Sequence, residues 1–156
     1  MRRLAVLLAT GLGVGRLPVA PATWASAVTA LLLLLVMPRL GLPAFLGLTL
    51  VVTALAIPVC GHAERTLGHD AHPIVADEVA GMMITMCGVP ALGHVHPPYA
   101  LSLAAGFVLF RVFDIWKPPP VFQAQALPGG LGVVMDDVLA GLYANIVLQL
   151  LARVTH

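Results

Sequence analysis

Charged residues are scarce in this chain of 156 residues. Asp, Glu, Lys and Arg together make up 10% of it, whereas 60% is hydrophobic, and the net charge is +1. The lack of a basic stripe argues against a nucleic-acid partner. A mean hydropathy of +0.98 exceeds what a soluble domain of this size needs for its core. We therefore expect a membrane protein with a single domain over residues 1–156.

Several common kinds of site lack their sequence signatures. Cys60 and Cys87 form no C-x-x-C pair, so we expect two small buried hydrophobic residues rather than a disulfide or metal site. The glycine-rich segment 10–18 lacks the Gly-Lys-Ser/Thr of a P-loop. The histidines of segment 62–72, which flank Asp70, fit no recognised zinc spacing, and a histidine-held metal is disfavoured.

Long uncharged apolar runs dominate the chain instead. The runs Leu17–Pro38 and Leu40–Gly61 each reach the roughly 20 residues that a bilayer crossing needs. Shorter runs cover Val79–Gly93, Pro98–Phe110 and Val138–Ala152, and they predict either short or tilted spans or helices packed inside the bundle. The fold class is therefore all-α, a compact helical membrane protein of about five apolar helices.

Three long polar stretches, 1–23, 61–78 and 117–137, alternate with short turns near Pro38 and at His94–Pro97. If five helices cross the membrane, the long stretches all lie on one face. Most cations lie there too: Arg2, Arg3, Arg16, Arg65, Arg111 and Lys117. The positive-inside rule predicts that this face is cytoplasmic.

The few acids are concentrated where these helices meet that face. Burying an unpaired charge costs several kcal/mol, so acids in so apolar a chain indicate a function. Asp77 and Glu78 are predicted to open the third helix, and Asp136 and Asp137 the fifth. The clusters are Asp70 with Asp77 and Glu78, then Asp114 near the end of the fourth helix, then Asp136 with Asp137. Simple capping of helix N-termini is the alternative to a paired, metal-binding use.

Two of the acidic segments share a spacing. Asp77 and Asp137 are each followed four positions later by a glycine after an alanine, at Gly81 and Gly141. Glycine at such positions permits close helix approach.

The residues Arg111, Asp114 and Lys117 are spaced i, i+3, i+6 and share one helix face. They could neutralise one another as a ladder. In the functional interpretation, Asp114 faces a metal while Arg111 and Lys117 bind a phosphate. Carboxylate clusters favour a hard cation such as Mg²⁺.

The glycine-rich first loop is followed by hydroxyl side chains at the start of the first long helix. Thr23 and Ser26 lie where an anion would be stabilised by the helix N-terminus. Capping of that helix by Thr23 is an equally good interpretation.

Four motif blocks in this order closely resemble the phosphatidylglycerophosphatase A family, over residues 10–145. The blocks are Gly11-x-Gly13 with Pro18-x-x-Pro21-x-Thr23-x-x-Ser26, Ile74-Val75-x-Asp77-Glu78-x-x-Gly81, Phe110-Arg111-x-x-Asp114-x-x-Lys117-Pro118, and Gly129-Gly130-x-Gly132-x-x-x-Asp136-Asp137-x-x-Ala140-Gly141. The resemblance implies an all-helical, magnesium-dependent enzyme of the bacterial inner membrane. Such an enzyme removes the terminal phosphate from phosphatidylglycerophosphate to leave phosphatidylglycerol.

The resemblance and the local chemistry together assign expected roles. The catalytic acids are Asp77, Glu78, Asp114, Asp136 and Asp137, and four of them, Asp77, Glu78, Asp114 and Asp137, are the expected Mg²⁺ ligands. The expected phosphate-binding residues are Arg111, Lys117, Thr23, Ser26, Gly11 and Gly13. The partners are then the phospholipid substrate and membrane lipid, while the oligomeric state is left open.

The chain departs from the family pattern without losing an acid. Ala22 and Ala25 stand where the family usually has glycines, and Pro119 replaces a tryptophan. We expect the two alanines to add methyl groups to a loop that needs special backbone angles or a close substrate approach. The competing class of function is a divalent-cation transporter or channel, because acids inside membranes commonly mark ion paths.

Overall fold

The structure, a computed structural model, describes residues 2–68, 71–89 and 99–154, and these contain helices but no strand. His69, Asp70 and the turn predicted at His94–Pro97 lie outside the described residues. The helices are α1 Arg2–Ala9, α2 Pro21–Val36, α3 Leu42–Leu67, α4 Ala76–Thr85, α5 Tyr99–Trp116, α6 Val121–Ala124 and α7 Gly130–Val154, with 3₁₀ turns at Gly11–Arg16 and Met37–Arg39.

Four helices are long and apolar enough to cross a membrane: α2 with its following 3₁₀ turn, α3, α5 and α7. Large apolar side chains such as Leu31, Leu50 and Ile146 are exposed along their outer faces. Apolar surfaces of this extent, on helices of this length, are typical of contact with lipid. The prediction of an all-α membrane protein is confirmed, and both long apolar runs form spans.

The third apolar run does not form a full span in its described part. Helix α4 has 10 residues and is therefore about 15 Å long, half the thickness of a bilayer core. Ala80, Met82 and Thr85 have no exposed surface at all. Of the two interpretations of this run, the helix packed inside the bundle is the one observed, while residues 90–93 lie outside the described part.

Two contacts define which helix ends lie together. Ser26, in the second turn of α2, contacts Glu78 in the first turn of α4. At the other end of α2, Leu33 accepts a hydrogen bond from the hydroxyl of Tyr99, the first residue of α5, at 3.0 Å. Helices α2 and α5 are therefore antiparallel, and the end of α5 returns to the end of the bundle where α2 and α4 begin.

Side-chain amides of α7 satisfy the carbonyl groups at the end of α4. The amide of Asn145 donates to the carbonyl oxygens of Thr85 at 2.8 Å and Cys87 at 2.7 Å, and Gln149 donates to Cys87 at 3.2 Å. The last carbonyls of a helix lack partners within it, and leaving them unpaired in an apolar interior is costly. These amides allow α4 to end inside the bundle.

The glycines singled out by the shared spacing do bring α4 and α7 together. A Cβ atom added at Gly141 would lie 2.5 Å from the carbonyl oxygen of Gly81. One added at Gly81 would lie 2.5 Å from the ring of Phe110 and 2.9 Å from the carbonyl oxygen of Asp137. The two backbones are in direct contact, which only glycine permits.

Helix α7 begins earlier than predicted. Asp136 and Asp137 were expected to open it, but they lie about two turns into it, because the helix already starts at Gly130. An added Cβ at Gly130 would overlap the backbone of α3 at Ile57 and Gly61. The glycines that indicated a loop are instead needed for close packing of two helices, and N-terminal capping by these two acids is excluded.

The special backbone angles expected at the two alanines are not observed, whereas the expected close approach of substrate stays a prediction. Ala22 and Ala25 lie within α2, where the backbone is helical and alanine is favoured over glycine. At the start of this helix the left-handed backbone belongs instead to Ala20, the residue before Pro21, with φ +48°.

The amide contacts predict that Asn145→Leu destabilises the protein. The carbonyl of Thr85 would lose its side-chain donor and that of Cys87 would keep only Gln149, at a cost of about 1 to 2 kcal/mol. Chemical denaturation in detergent measures this change. Gln149→Leu removes one longer contact to these carbonyls and should cost less, and equal stability of Asn145→Leu and the wild type would contradict the proposed capping.

The backbone contact predicts that Gly141→Ala strongly destabilises the pairing of α4 with α7, because the added methyl group meets a backbone carbonyl. Gly47→Ala is the matched control, since an added Cβ there meets nothing within 4 Å in α3. In α3 the same change should be neutral or stabilising by up to about 1 kcal/mol through helix propensity. Thermal unfolding in detergent compares the two, and equal effects would refute the steric argument.

Candidate active site

Three carboxylates from three helices meet at one end of the bundle. Oxygen atoms of Glu78 (α4), Asp114 (α5) and Asp137 (α7) all lie within 4.8 Å of one another. Glu78 and Asp137 are buried and Asp114 is nearly so. We call these three residues the carboxylate group; in the described part of the chain no other His, Cys, Asp or Glu residues form such a group.

Arg111 lies among these acids. Its Nη1 atom is 2.8 Å from each carboxylate oxygen of Glu78 and 2.9 Å from Oδ2 of Asp114. Its Nε atom is buried and has no hydrogen-bond partner among the described residues. A second donor of the guanidinium is thus available for another acceptor.

The charges of the carboxylate group do not balance. With all three carboxylates ionised, one guanidinium leaves two negative charges, and like charges at this separation repel by roughly 3 kcal/mol per pair at an effective dielectric constant of 20. The Oδ2 atom of Asp137 is buried without a hydrogen-bond donor in the described structure. A divalent cation with oxygen ligands fits both observations, and Glu78, Asp114 and Asp137 are the residues placed to hold it.

The environment of Glu78 works against its ionised form. Burial first, and then the neighbouring charge of Asp114, raise the pKa of Glu78 to about 7, although Arg111 and the Ser26 hydroxyl favour the carboxylate. Ser26 Oγ lies 2.8 Å from Oε2 of Glu78 and 2.9 Å from the carbonyl oxygen of Ala22. Ser26 therefore contacts a member of the carboxylate group.

Lys117 pairs with an acid outside that group. Its Nζ atom lies 2.6 Å from Oδ2 of Asp136, and its backbone is left-handed, with φ +47°, just beyond the end of α5. Burial lowers the pKa of Lys117, but the hydrogen bond and charge of Asp136 outweigh it, so the pKa lies above the usual value. The predicted ladder is therefore only half formed: Arg111 pairs with Asp114, whereas Lys117 crosses to α7.

The two adjacent acid pairs share one arrangement. Oδ1 of Asp77 accepts a hydrogen bond from the backbone N–H of Glu78, and Oδ1 of Asp136 accepts one from that of Asp137. In each pair the second acid belongs to the carboxylate group and the first lies beside it. Of the four predicted metal ligands, three are brought together, and Asp77 is not a member of the group.

The glycine-rich first loop packs against the segment that leads into α4. The carbonyl of Ala9 accepts a hydrogen bond from the N–H of Val75 at 2.8 Å, and a Cβ at Gly11 would meet the Val75 side chain at 3.1 Å. Gly11 and Gly13 have positive φ angles of 54° and 105°. The loop thus lies next to the start of α4, while its predicted phosphate contacts stay a prediction.

Thr23 does not cap α2. The N-cap position is Ala20, without a side-chain hydrogen bond, and Thr23 is the third helical residue. It is half-buried, one turn before Ser26 on the same face of α2.

The sequence interpretation missed three polar residues of α7. Asn145 and Gln149 hold the end of the helix that carries Glu78, and the hydroxyl of Tyr143 donates to the carbonyl of Pro119 at 2.9 Å, fastening the loop that follows Lys117. The sequence does offer a sign of them, because polar residues within an otherwise apolar run usually form hydrogen bonds to neighbouring helices.

Comparisons with known proteins agree on one family. Residues 7–152 match the family Phosphatidylglycerophosphatase A. A protein of that name from Haemophilus influenzae is 38% identical over 144 residues, which cover 91% of this chain and 85% of the relative. The Escherichia coli protein of the same name is 31% identical, with 94% and 83% covered.

A third relative has a different name. The putative phosphatidylinositol-3-phosphatase of Bacteroides thetaiotaomicron is 34% identical over 149 residues, covering 93% of this chain and 91% of the relative. No solved structure matches the chain.

The carboxylate group predicts that Mg²⁺ raises the unfolding temperature of the purified protein, because the cation relieves the repulsion among the three acids. Asp137→Asn should abolish this shift, since it removes one charge and one ligand. Glu64→Gln is the matched control, an acid outside the group, and should keep it. Differential scanning fluorimetry in detergent measures the shift, and an undiminished shift in Asp137→Asn would place the cation elsewhere.

Proposed function

This chain belongs to the phosphatidylglycerophosphatase A family, and on that premise we propose that it hydrolyses the terminal phosphate monoester of phosphatidylglycerophosphate, giving phosphatidylglycerol and inorganic phosphate. The observation that carries the proposal is the buried carboxylate group of Glu78, Asp114 and Asp137 with Arg111 among its acids. We propose Mg²⁺ as the cofactor, because the group offers only oxygen ligands.

The residues of the site have complementary tasks in this reaction. Mg²⁺ supplies neutralisation of the phosphoryl oxygens and activation of water when bound. The unpaired Nε donor of Arg111 is available for a phosphate oxygen, and Lys117 adds a second cation nearby. Ser26 holds Glu78 from the side of α2, next to Thr23 at the start of the same helix.

Two routes for the attack fit this arrangement. Water can attack the phosphorus directly, or an aspartate can attack first and form a phosphoenzyme that water then hydrolyses. In both routes the leaving group is the glycerol hydroxyl of the lipid. The stereochemical course at phosphorus separates them, because a single direct displacement by water inverts the configuration, whereas two successive displacements through an aspartyl phosphate retain it.

We place the site on the cytoplasmic face of the bacterial inner membrane. Arg16, Arg65, Arg111 and Lys117 belong to segments at the end of the bundle that carries the carboxylate group. Arg39 lies at the end of α2 away from it. The positive-inside rule favours this orientation.

The placement of the acids also favours a phosphatase over a divalent-cation transporter. The carboxylate group lies where α2 and α4 begin and α5 ends, at one end of the bundle, beside two cations suited to phosphate. A transport path would need acids through the middle of the membrane.

The direct test is phosphate release from phosphatidylglycerophosphate in detergent micelles, with Mg²⁺ or with chelator. We expect Mg²⁺-dependent release that falls at least about a hundredfold in Asp77→Asn, Asp114→Asn and Asp137→Asn. Glu64→Gln should stay within about twofold of the wild type, and circular dichroism checks that each variant is folded.

Substantial turnover by all three variants would refute the assignment. Phosphatidylinositol 3-phosphate is the comparison substrate, because one relative is named for it. Preferential release of phosphate from that lipid would mean that the protein is a phosphatase, but with phosphatidylinositol 3-phosphate as its substrate. Cation flux in sealed vesicles without any phosphate release would favour the transporter.

A further inference from the structure

The N-terminal segment has an apolar surface that is largely exposed in the described protein. On α1, Leu4 is 60% exposed, Leu7 44% and Leu8 46%, while Val6 and Ala9 on the opposite side pack against the bundle. Leu12 in the following 3₁₀ turn is 74% exposed. Two exposed arginines flank these leucines. We define the N-terminal surface as Leu4, Leu7, Leu8 and Leu12 with Arg3 and Arg16.

This surface is fixed at the end of the bundle that carries the carboxylate group. The carbonyl of Ala9 accepts the hydrogen bond from Val75, the residue before α4. The backbone at Gly15 is so close to Pro73 that an added Cβ would overlap its carbonyl group. Segment 9–15 is therefore held against the residues that lead directly to Asp77 and Glu78.

The backbone conformation of Leu12 indicates that the exposure of its side chain has a purpose. Its backbone is left-handed, with φ +56°, a conformation that costs a leucine roughly 1 kcal/mol or more and that glycine or asparagine would adopt more easily. Contacts within the protein do not offset this conformational free energy, because about three quarters of the residue is exposed. Burial of the side chain among acyl chains would offset that free energy.

The length and charge of the segment indicate where it lies relative to the membrane. Helix α1 has 8 residues, about 12 Å, and is too short to cross a bilayer. A short helix with leucines on its outer face and arginines beside them matches a segment lying in the plane of the membrane interface. Arginines at that level are attracted to anionic lipid headgroups.

We propose that the N-terminal surface lies in the interface of an anionic bilayer, with its leucines among the acyl chains and Arg3 and Arg16 on lipid phosphates, at the membrane face that carries the carboxylate group. Because the segment is fastened to the start of α4, it holds the site at the depth where lipid phosphates lie. This consequence for catalysis rests on the proposed phosphatase function, whereas the placement of the surface does not.

The placement is tested with nitroxide spin labels on the full-length protein in vesicles of phosphatidylcholine and phosphatidylglycerol. Labels at Leu8→Cys and Leu12→Cys should collide more with oxygen than with a water-soluble nickel complex, as should a reference label at Leu50→Cys on α3. Labelling of the wild type corrects for Cys60 and Cys87.

Two results would overturn the placement. Dominant collision with the nickel complex would put the surface in water. Protection from both reagents would mean that a second copy or another protein segment covers it. Neither result depends on whether the protein has phosphatase activity.

The consequence for catalysis is tested with the double variant Leu4→Gln, Leu8→Gln, which keeps a good helix propensity. Its activity on long-chain substrate in anionic vesicles should fall about tenfold, because two apolar anchors are lost. Activity on a water-soluble short-chain analogue should stay within about twofold, and the apolar control Leu4→Met, Leu8→Met should match the wild type on both.

Equal losses on both substrates would mean that the variant disturbs the site itself, and no loss on either would mean that the surface does not position the lipid. Either result would overturn the proposed role in catalysis. A wild type that is inactive on both substrates would refute the phosphatase proposal instead, and the spin labels would still decide the placement.

Discussion

The direct backbone contact between α4 and α7 at Gly81 and Gly141 is the constraint on which the site depends. It brings the middle of a short buried helix against the third and fourth turns of a long one. Because no side chain separates these backbones, carboxylate oxygens of Glu78 and Asp137 lie within 4.8 Å of each other. In lipid, where helices gain little from apolar burial against each other, such close packing supplies much of the attraction.

The same contact creates an electrostatic cost. Glu78, Asp114 and Asp137 are held close together in an interior of low dielectric, and Arg111 neutralises only part of their charge. The packing of the helices keeps the acids together in spite of their repulsion. A divalent cation has the charge that would neutralise the remainder.

The site also depends on how α4 ends, because this short helix stops inside the bundle. Carbonyl groups at the end of a helix need donors, and water does not supply them at that depth. Asn145 and Gln149 on α7 do so, and α7 thus holds α4 at two places, through amides at its end and through the glycine contact near its middle. The N-terminal segment then fastens the start of α4 from outside.

Much of this could be read from local sequence, because composition and apolar run length report directly on the solvent around a segment. They determined the membrane class, the long helices and the end of the bundle where the acids collect. Tertiary contacts alone decided that Asp77 lies beside the carboxylate group, that Lys117 pairs with Asp136, and that Gly130 belongs to a helix. A glycine permits a loop and a close helix crossing equally well, and an acid's partner depends on which backbone packs next to it, so neither outcome is encoded in spacing along the chain.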